Sequence, residues 1–547
     1  MTQRHVAATT LFLVGMLLST TGLAQPPLQE TPTTFSTVTA DRLRNAEAEP
    51  HNWLMYSGDY KSRRYSQLTQ VDRSNVDQLE IEWVYQLRTL DQAETTPLVV
   101  DGVMYLTESP STVIAVDAAN GRPFWRYAHP LPDDLIICCG RNNRGVAIQG
   151  DKVLMSTLDA HLVALDAKTG SVLWNTEVED HTGGYSKTAA PLVVGDKVFT
   201  GVAGGEYGIR GMVDAYNINT GVREWRFHTT PGADNPDSRT WSGDSWRRGG
   251  SATWMTGSYD PELNLVYWGT GNPGPDYDGT VRVGDNLYSD SVVALEADTG
   301  DMKGYFQFTP HDSHDWDSTQ VPILAETTFD GEPRRVMLFP NRNAFFYVLD
   351  RETGEFLLGT PYAKQTWADG LDQTGRPLLR PGKEPSLDGT IVSPAITGGS
   401  NWWSPSYSPR TDLLYVMAYD AETRYYIRKT AYERGHSYRA GGGETPQPTE
   451  SYLRAVRAIS PQTGARRWEF PVDSRTTSGL MSTAGDLVFG GTADGYVFAL
   501  DAVTGNELWH KNVGGRVHAG PMSYAVDGKQ YVAIAAGTAV FVFAVTE

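Results

Sequence analysis

The segment Ala164-Leu-Asp-Ala-Lys-Thr-Gly170-Ser-Val-Leu-Trp174 is one copy of a phrase, A-x-D-x-x-T-G-x-x-x-W, that recurs along the chain. Four other copies keep the glycine and the tryptophan, and they end at Trp125, Trp225, Trp468 and Trp509. Two further copies, which contain Gly300 and Gly354, keep the glycine but lack the tryptophan. Asn75–Leu79, which leads to Trp83, is interpreted as a degenerate eighth copy. A phrase repeated at this period is typical of solenoid and propeller folds.

Each part of the phrase predicts a piece of local structure. Alternating apolar residues predict a half-buried strand, and Asp with Thr-Gly predicts a tight turn in which glycine supplies a positive φ. The tryptophan on the returning strand can then dock its large apolar face between neighbouring sheets. Helical segments are few, so eight units predict an all-β, eight-bladed β-propeller with tryptophan-docking repeats.

Two long insertions interrupt the repeat, at residues 360–400 and 424–452. The second contains Gly441-Gly-Gly443 and nearby prolines, which predict a loop. Insertions in propellers gather on one face, where they can line a binding site. A purely structural or disordered role for these segments is left open.

The first 24 residues have the pattern of a secretory signal peptide, with Arg4, an apolar run over Leu11–Leu18 and small residues before Gln25. The run is shorter than the roughly 20 residues of a spanning helix, so an N-terminal anchor is the less favoured alternative. We therefore expect residues 25–547 to form a single periplasmic domain with no membrane span.

Composition excludes one class of partner. The formal net charge is −19, which argues against nucleic acid, because phosphates need a basic face. The negative charge serves solubility alone or steers a basic partner protein.

The chain has only two cysteines, Cys138 and Cys139, and they are adjacent. They cannot form a C-x-x-C-H haem attachment site or a zinc ligand set. Two free thiols and a vicinal disulfide are the alternatives, and export to an oxidising compartment favours the disulfide.

Four segments between the repeats carry a resemblance to a known family. They are Cys138–Arg144, Gly201–Gly211, Gly269–Gly274 and Thr309–Thr319. With these segments in this order, nearly the whole mature chain resembles the pyrroloquinoline quinone (PQQ)-dependent alcohol dehydrogenases, the methanol and ethanol dehydrogenase family. The resemblance implies that a ring formed by Cys138 and Cys139 packs against one face of the quinone and that Trp254 stacks on the other.

The resemblance also implies a metal site and a catalytic base. Glu206 and Asn272 match the family's metal ligands, and oxygen ligands of this kind suit Ca²⁺. The aspartate after the tryptophan is Asp317, which is assigned as general base and as a further metal ligand. Two residues appear inserted relative to the family's shorter T-P-x-D-x-W-D form, so Asp315 is the alternative base. Lanthanide-using relatives carry a second aspartate two residues after the base; here that residue is Thr319, which favours Ca²⁺.

Further positions match residues that bind or activate the cofactor. Arg342 corresponds to the basic residue that polarises the reactive carbonyl. The remaining cofactor-binding residues implied by the resemblance are Glu94, Arg144, Thr188, Ala203, Gly204, Gly205, Asn401 and Trp402. Ala203, Ala252 and Gly490 are smaller than their counterparts in methanol dehydrogenases, which predicts a roomier site and casts doubt on methanol as substrate.

The predicted function is oxidation of a primary or secondary alcohol by base-assisted hydride transfer to PQQ. Electrons would pass to a separate soluble cytochrome c, since the chain has no haem motif of its own. The competing hypothesis is a non-enzymatic propeller similar to outer-membrane assembly scaffolds. The sequence leaves the alcohol and the oligomeric state open.

Overall fold

The computed structural model describes residues 37–446, 452–472 and 476–546. The predicted signal peptide, residues 1–24, lies outside the described residues. Helical structure in the described part is limited to one short α-helix, Ala40–Arg44, and seven 3₁₀ turns, none of which is long and apolar enough to cross a membrane. The 3₁₀ turns are Ala46–Ala48, Val76–Gln78, His181–Gly183, Gly205–Tyr207, Pro236–Thr240, Ser245–Arg248 and Gly279–Val281.

Most of the described strands form four- and five-stranded sheets that follow one another along the chain, and their strands are antiparallel apart from one added parallel strand. Five of them occupy the first two thirds of the chain. They comprise Leu98–Val100, Val103–Glu108, Thr112–Asp117 and Pro123–Ala128; Ala147–Gln149, Lys152–Ser156, His161–Asp166 and Val172–Glu177; Leu192–Val194, Lys197–Gly201, Met212–Asn217 and Arg223–His228; Ser258–Asp260, Leu265–Gly269, Ser291–Glu296 and Met302–Gln307; and Ile323–Phe329, Glu332–Pro340, Phe345–Asp350 and Phe356–Pro361.

Three further sheets complete the arrangement. They comprise Ser406–Ser408, Leu413–Asp420, Leu453–Ile459 and Arg466–Pro471; Met481–Thr483, Leu487–Gly491, Tyr496–Asp501 and Glu507–Asn512, with Tyr65–Ser66 added in parallel; and Met522–Val526, Lys529–Ala536, Ala539–Val545 and Leu79–Gln86. In the last sheet, Leu79–Gln86 pairs with Ala539–Val545, so the two ends of the described chain share one sheet. This closure protects the sheet edges, as in β-propellers.

The repeat tryptophans hold neighbouring sheets together. Each indole Nε1 donates to a backbone carbonyl in the corresponding turn of the following sheet. Trp125 reaches Ala167 O at 3.0 Å, and Trp174 reaches Ile218 O at 2.9 Å. Trp509 donates to Leu79 O at 3.2 Å, which links the end of the chain to its beginning. The sequence prediction of a tryptophan-docking all-β fold is therefore confirmed.

The repeat glycines lie beneath these indole rings. A Cβ atom on Gly170 would sit 2.5 Å from Cε3 of Trp125, and the φ of Gly170 is +72°. Gly354 has a similar φ of +76°, but a Cβ there would meet nothing within 4 Å. This difference in contacts follows from the sequence. The copy that precedes Gly354 has Gly304 at the position where most copies have tryptophan, so no indole ring covers Gly354.

This contrast gives a prediction about stability. Gly354→Ala is expected to cost about 1–2 kcal/mol, the penalty of a Cβ in the left-handed region. Gly170→Ala is expected to cost about 1–3 kcal/mol more, because the methyl group also collides with the Trp125 ring. Urea denaturation of both variants followed by circular dichroism measures the difference. Equal losses would show that the indole does not restrict this glycine.

The insertion at 424–452 corrects one expectation. Its Gly-Gly-Gly segment was predicted to be a loop, but Gly441–Glu444 is a strand that pairs with Thr423–Ile427. Thr390–Val392, from the first insertion, completes this small sheet, and Ala368–Leu371 pairs separately with Pro377–Leu379. A Cβ on Gly442 would sit 2.8 Å from the Tyr426 hydroxyl oxygen, so the glycine allows the strands to approach beside that side chain. Here close packing, rather than turn formation, explains the glycine.

Candidate active site

A cavity of about 350 Å³ opens among the segments that connect the strands. It is lined by most of the residues predicted to bind the cofactor or the substrate. These are Glu94, Cys138, Cys139, Arg144, Thr188, Ala203, Gly204, Glu206, Trp254, Asp317, Arg342, Asn401 and Trp402. Gly205 follows Gly204 in the same turn, and the backbone N–H of Asn272 donates to Asp317 Oδ1 at 2.8 Å. The structure therefore brings together segments that are up to 308 positions apart in the sequence, from Glu94 to Trp402.

Two flat surfaces contribute to the cavity wall. Cys138 and Cys139 form a vicinal disulfide, which resolves the alternative of free thiols. The Trp254 indole also lines the cavity, and its Nε1 donates to Asp317 Oδ2 at 3.2 Å. A planar aromatic cofactor fits walls of this kind, because both surfaces are stiff and can stack.

Arg144 is held firmly at the cavity wall. Its guanidinium forms an ion pair with Glu94 Oε2 at 2.8 Å and donates to Thr188 Oγ1 at 2.8 Å. It also lies near the rings of Trp254 and Trp402, with Cζ 5.2 and 4.6 Å from their centroids. Such an arginine can bind a carboxylate in two-pronged fashion, which suits the acidic groups of PQQ.

Asn401 and Gly204 shape the backbone around the cavity. The Asn401 side chain bonds the Thr397 carbonyl and the Trp402 N–H, each at 2.8 Å, so its orientation is fixed locally. A Cβ on Gly204 would sit 1.9 Å from the Gly184 carbonyl oxygen, and the φ of Gly204 is +115°. Only glycine fits at this position, and it allows the turn carrying Glu206 to approach the cavity.

Four carboxylates lie close together beside the cavity: Asp276 and Asp317 are buried, whereas Glu206 and Asp315 are partly exposed. Burial is the main cause that raises the pKa of each, and the pKa of Asp315 reaches about 8. Repulsion between them adds to the effect; Asp315 and Glu206 both raise the pKa of Asp276. Both carboxylate oxygens of Asp276 are buried without a hydrogen-bond partner. A cation that binds oxygen ligands would relieve this repulsion, so the residues fit a metal ion.

Arg342 connects the two candidate bases. Its Nη1 lies 2.5 Å from Asp317 Oδ2 and its Nη2 lies 3.5 Å from Asp315 Oδ1. Nη2 also donates to the Ile396 carbonyl at 2.6 Å, which fixes the guanidinium plane. Arg342 can therefore stabilise negative charge that develops beside either aspartate.

Asp315 and Asp317 flank a buried tryptophan, Trp316, and both line the cavity. Trp316 stacks on His314 with the ring centroids 4.2 Å apart, and its Nε1 donates to the Ala395 carbonyl at 3.2 Å. Asp315 accepts a hydrogen bond from the Tyr277 hydroxyl at 3.2 Å. Sequence reasoning treated the two aspartates as alternatives, whereas the fold directs both towards the same space.

Two charged residues of this site were missed by sequence reasoning. Asp276 lies near the predicted ligand Asn272 in the chain but has no counterpart in the quoted motifs. Arg439, in the second insertion, lines the cavity with its Nη2 3.1 Å from Cys138 Sγ. Ile396 and Thr397, in the first insertion, also line it. Both insertions therefore contribute to the cavity wall, which the sequence had left open.

Comparison with known proteins gives a consistent result. The family model described as "PQQ: Glucose/ethanol/alcohol dehydrogenase, beta-propeller domain" matches residues 53–366 and 460–532. The quinoprotein alcohol dehydrogenase PedH of Pseudomonas putida is 40% identical over 504 residues, covering 87% of this chain and 84% of that protein. The quinohemoprotein alcohol dehydrogenase of Comamonas testosteroni is 36% identical, covering 96% of this chain and 78% of that protein.

Solved structures agree with these sequence matches. The quinohemoprotein alcohol dehydrogenase ADHIIG of Pseudomonas putida superposes with a TM-score of 0.88 at 36% identity, covering 93% of this chain and 83% of that one. A europium-containing methanol dehydrogenase also gives a TM-score of 0.88, at 32% identity, and covers 92% of this chain and 100% of that one.

Proposed function

Because this chain belongs to the PQQ-dependent alcohol dehydrogenases, we propose that it is a periplasmic enzyme that oxidises a primary or secondary alcohol and passes the electrons to a separate cytochrome c. The single observation that supports this best is the cavity, where a vicinal disulfide, Trp254 and a cluster of carboxylates meet. The non-enzymatic scaffold hypothesis has no use for such a cluster. The sheets are proposed to form the eight blades of one domain, residues 25–547, after removal of residues 1–24.

Each predicted residue has a proposed role in holding the cofactor. The disulfide and Trp254 would contact its two faces, and Arg144, with Glu94 and Thr188 beside it, would hold its acidic groups. Ala203, Gly204, Gly205, Asn401 and Trp402 would form the remaining wall. Glu206 and Asn272 would supply carboxylate and amide oxygens to the metal. When bound, PQQ supplies the acceptor for the hydride that leaves the carbinol carbon.

The chain's own catalytic step is proton removal. Asp317, the proposed base, takes the hydroxyl proton of the alcohol at a carboxylate oxygen while the carbinol carbon loses hydride. Arg342, whose Nη1 lies 2.5 Å from Asp317 Oδ2, stabilises the negative charge that develops beside Asp317 as the hydroxyl proton is transferred. The Asn272 N–H and the Trp254 indole N–H fix the orientation of the same carboxylate. Asp317 and Arg342 are both buried, and the exclusion of water around them keeps these interactions strong.

The identity of the metal follows from which aspartate is the base. With Asp317 as base, the residue two positions later is Thr319, and Ca²⁺ is the proposed ion. With Asp315 as base, the residue two positions later is Asp317, and the same criterion selects a lanthanide. Both aspartates line the cavity, so this second assignment is the alternative that the metal experiment tests.

Reconstitution tests the activity and the metal together. The protein is stripped of metal, supplied with PQQ and either Ca²⁺ or La³⁺, and assayed for alcohol oxidation with an artificial electron acceptor. Turnover with Ca²⁺ alone is the expected result if Asp317 is the base, and turnover that requires La³⁺ is expected if Asp315 is. An unchanged PQQ absorption spectrum and no oxidation of any alcohol with either ion would contradict the proposed function.

The electron acceptor is proposed on the basis of composition. The chain contains no C-x-x-C-H, whereas several of its relatives are named quinohemoproteins. A net charge of −19 would attract a cytochrome c with a basic docking face. Reduction of a basic cytochrome c that slows steeply as salt is raised would support this proposal.

A further inference from the structure

Arg439 is the one charged residue that the second insertion places in the cavity wall, as far as the described residues show. Its backbone is fixed by hydrogen bonds on both sides of the residue. The Tyr438 N–H donates to Glu206 O at 2.6 Å, and the Tyr277 N–H donates to Arg439 O at 3.0 Å. The side chain is 41% exposed, so part of the guanidinium faces the open space of the cavity.

The guanidinium is held in position by charge rather than by a full set of hydrogen bonds. Its Nη2 lies 3.9 Å from Glu206 Oε1, and its Nε lies 3.8 Å from Asp276 Oδ2. Nε is buried without a hydrogen-bond partner, and both oxygens of Asp276 are in the same condition. Asp276 is 1% exposed and therefore cannot reach a substrate, but its negative charge can orient the Arg439 guanidinium. Nη2 donates to Cys138 Sγ at 3.1 Å, and Nη1 has no hydrogen-bond partner within the described residues, so Nη1 is the donor left over at the cavity surface.

The surroundings decide what this donor binds. A guanidinium only donates, so its partner must carry an oxygen acceptor. Arg144 is assigned to the acidic groups of the cofactor. Glu206 and Asp315 lie in the same wall as Arg439 and their charges act on its guanidinium, so a further anionic group is disfavoured there. An uncharged oxygen, such as a second hydroxyl group on the alcohol, satisfies the donor without this repulsion.

We propose that Arg439, positioned by Asp276, binds a second hydroxyl group of the substrate, so that the enzyme prefers diols and polyols to simple alkanols. The inference rests on the proposed function, and it names the substrate class of that same site. Ala203, which lines the cavity, leaves room for a substrate with more than one oxygen.

A matched pair of substrates tests the subsite in the reconstituted holoenzyme. 1,2-Propanediol and 1-propanol have the same carbon chain and differ by one hydroxyl group. The expected wild-type kcat/KM is higher for the diol by about tenfold, the contribution of one hydrogen bond to a charged group. Arg439→Leu is expected to abolish this preference, and Arg439→Lys to keep part of it because lysine also donates.

Arg434→Leu is the matched control. Arg434 lies in the same insertion and pairs with Asp180 at 2.6 Å, but it does not line the cavity. Its replacement should loosen the segment without changing the diol preference. If Arg434→Leu lowers the preference as much as Arg439→Leu, the effect belongs to the segment and the subsite is overturned. A loss of PQQ affinity in Arg439→Leu would also overturn it, by making Arg439 a cofactor ligand.

A binding measurement separates this proposal from the proposed function. Trp254 and Trp402 line the cavity, so quenching of tryptophan fluorescence reports its occupancy. Tighter binding of the diol that disappears in Arg439→Leu, without oxidation of either alcohol, would support the subsite and contradict the proposed function. Oxidation of 1-propanol at least as efficiently as the diol would contradict the subsite and leave the proposed function standing.

Discussion

Asp317→Asn is expected to lower kcat by about 10²–10⁴-fold while PQQ still binds, because the amide cannot accept the hydroxyl proton. The substitution keeps the size of the side chain, and the amide oxygen can still accept from Arg342, while the NH₂ group then faces the Asn272 N–H. Steady-state kinetics with an artificial electron acceptor measure the loss, and the absorption spectrum of the bound quinone shows that the cofactor site is intact. Wild-type stability of the variant, checked by thermal denaturation, excludes misfolding as the cause.

Asp315→Asn is the matched control for this prediction. If Asp317 is the base, Asp315→Asn should have the smaller effect on kcat, since Asp315 then acts only through Arg342 and Tyr277. The reverse pattern would transfer the catalytic role to Asp315. In that case Asp317→Asn should chiefly weaken metal binding, and mass spectrometry of the metal content detects the loss. A lanthanide would then replace Ca²⁺ as the proposed ion.

Glu206→Gln is the substitution with the second largest expected effect. Removing one of the proposed ligand carboxylates is expected to lower metal affinity by more than about 100-fold, since changes behind the ligands already cost 10–100-fold. Turnover at limiting metal should fall in parallel. Isothermal titration with the metal that supports wild-type activity measures the affinity, and excess metal should restore part of the turnover.

The control for this variant is Glu177→Gln, which changes an exposed glutamate at the end of the strand Val172–Glu177. It should leave metal affinity unchanged. Unchanged metal affinity in Glu206→Gln would remove this residue from the metal site.

The affinity of the wild type for its metal should also fall as the pH is lowered below about 8, because Asp315 then takes up a proton. Ligands and neighbouring carboxylates must be deprotonated to favour the cation.

The order of the site residues was predictable from the sequence because each lies in a short, distinctive segment. Cys138-Cys139 was interpreted correctly as a vicinal disulfide, since adjacency itself fixes the pairing. Trp254 stands outside the repeated phrase, which distinguished it from the tryptophans that dock between sheets. These segments meet in one cavity because the repeat returns the chain to the same end of each sheet.

The role of the glycine-rich insertion was not predictable in the same way. Local turn chemistry predicts a loop for Gly441–Gly443, yet the segment pairs as a strand with Thr423–Ile427. Side chains at Gly442 and Gly443 would collide with Tyr426 and Thr423, so the pairing requires glycine there. Propensity is overridden by contacts with residues that the local sequence does not specify.

The repeated phrase was enough to predict the strand-turn-strand unit and the docking of its tryptophans between neighbouring sheets, and the segments between the repeats were enough to indicate the family. Those features depend on interactions between residues close in sequence or on a period that repeats. Folding places Asp276 and Arg439 at the site and lets Asp315 and Asp317 share one arginine, and the local sequence predicted neither arrangement. Arg439 meets Cys138 across 301 positions of sequence, and no local pattern encodes a contact of that separation.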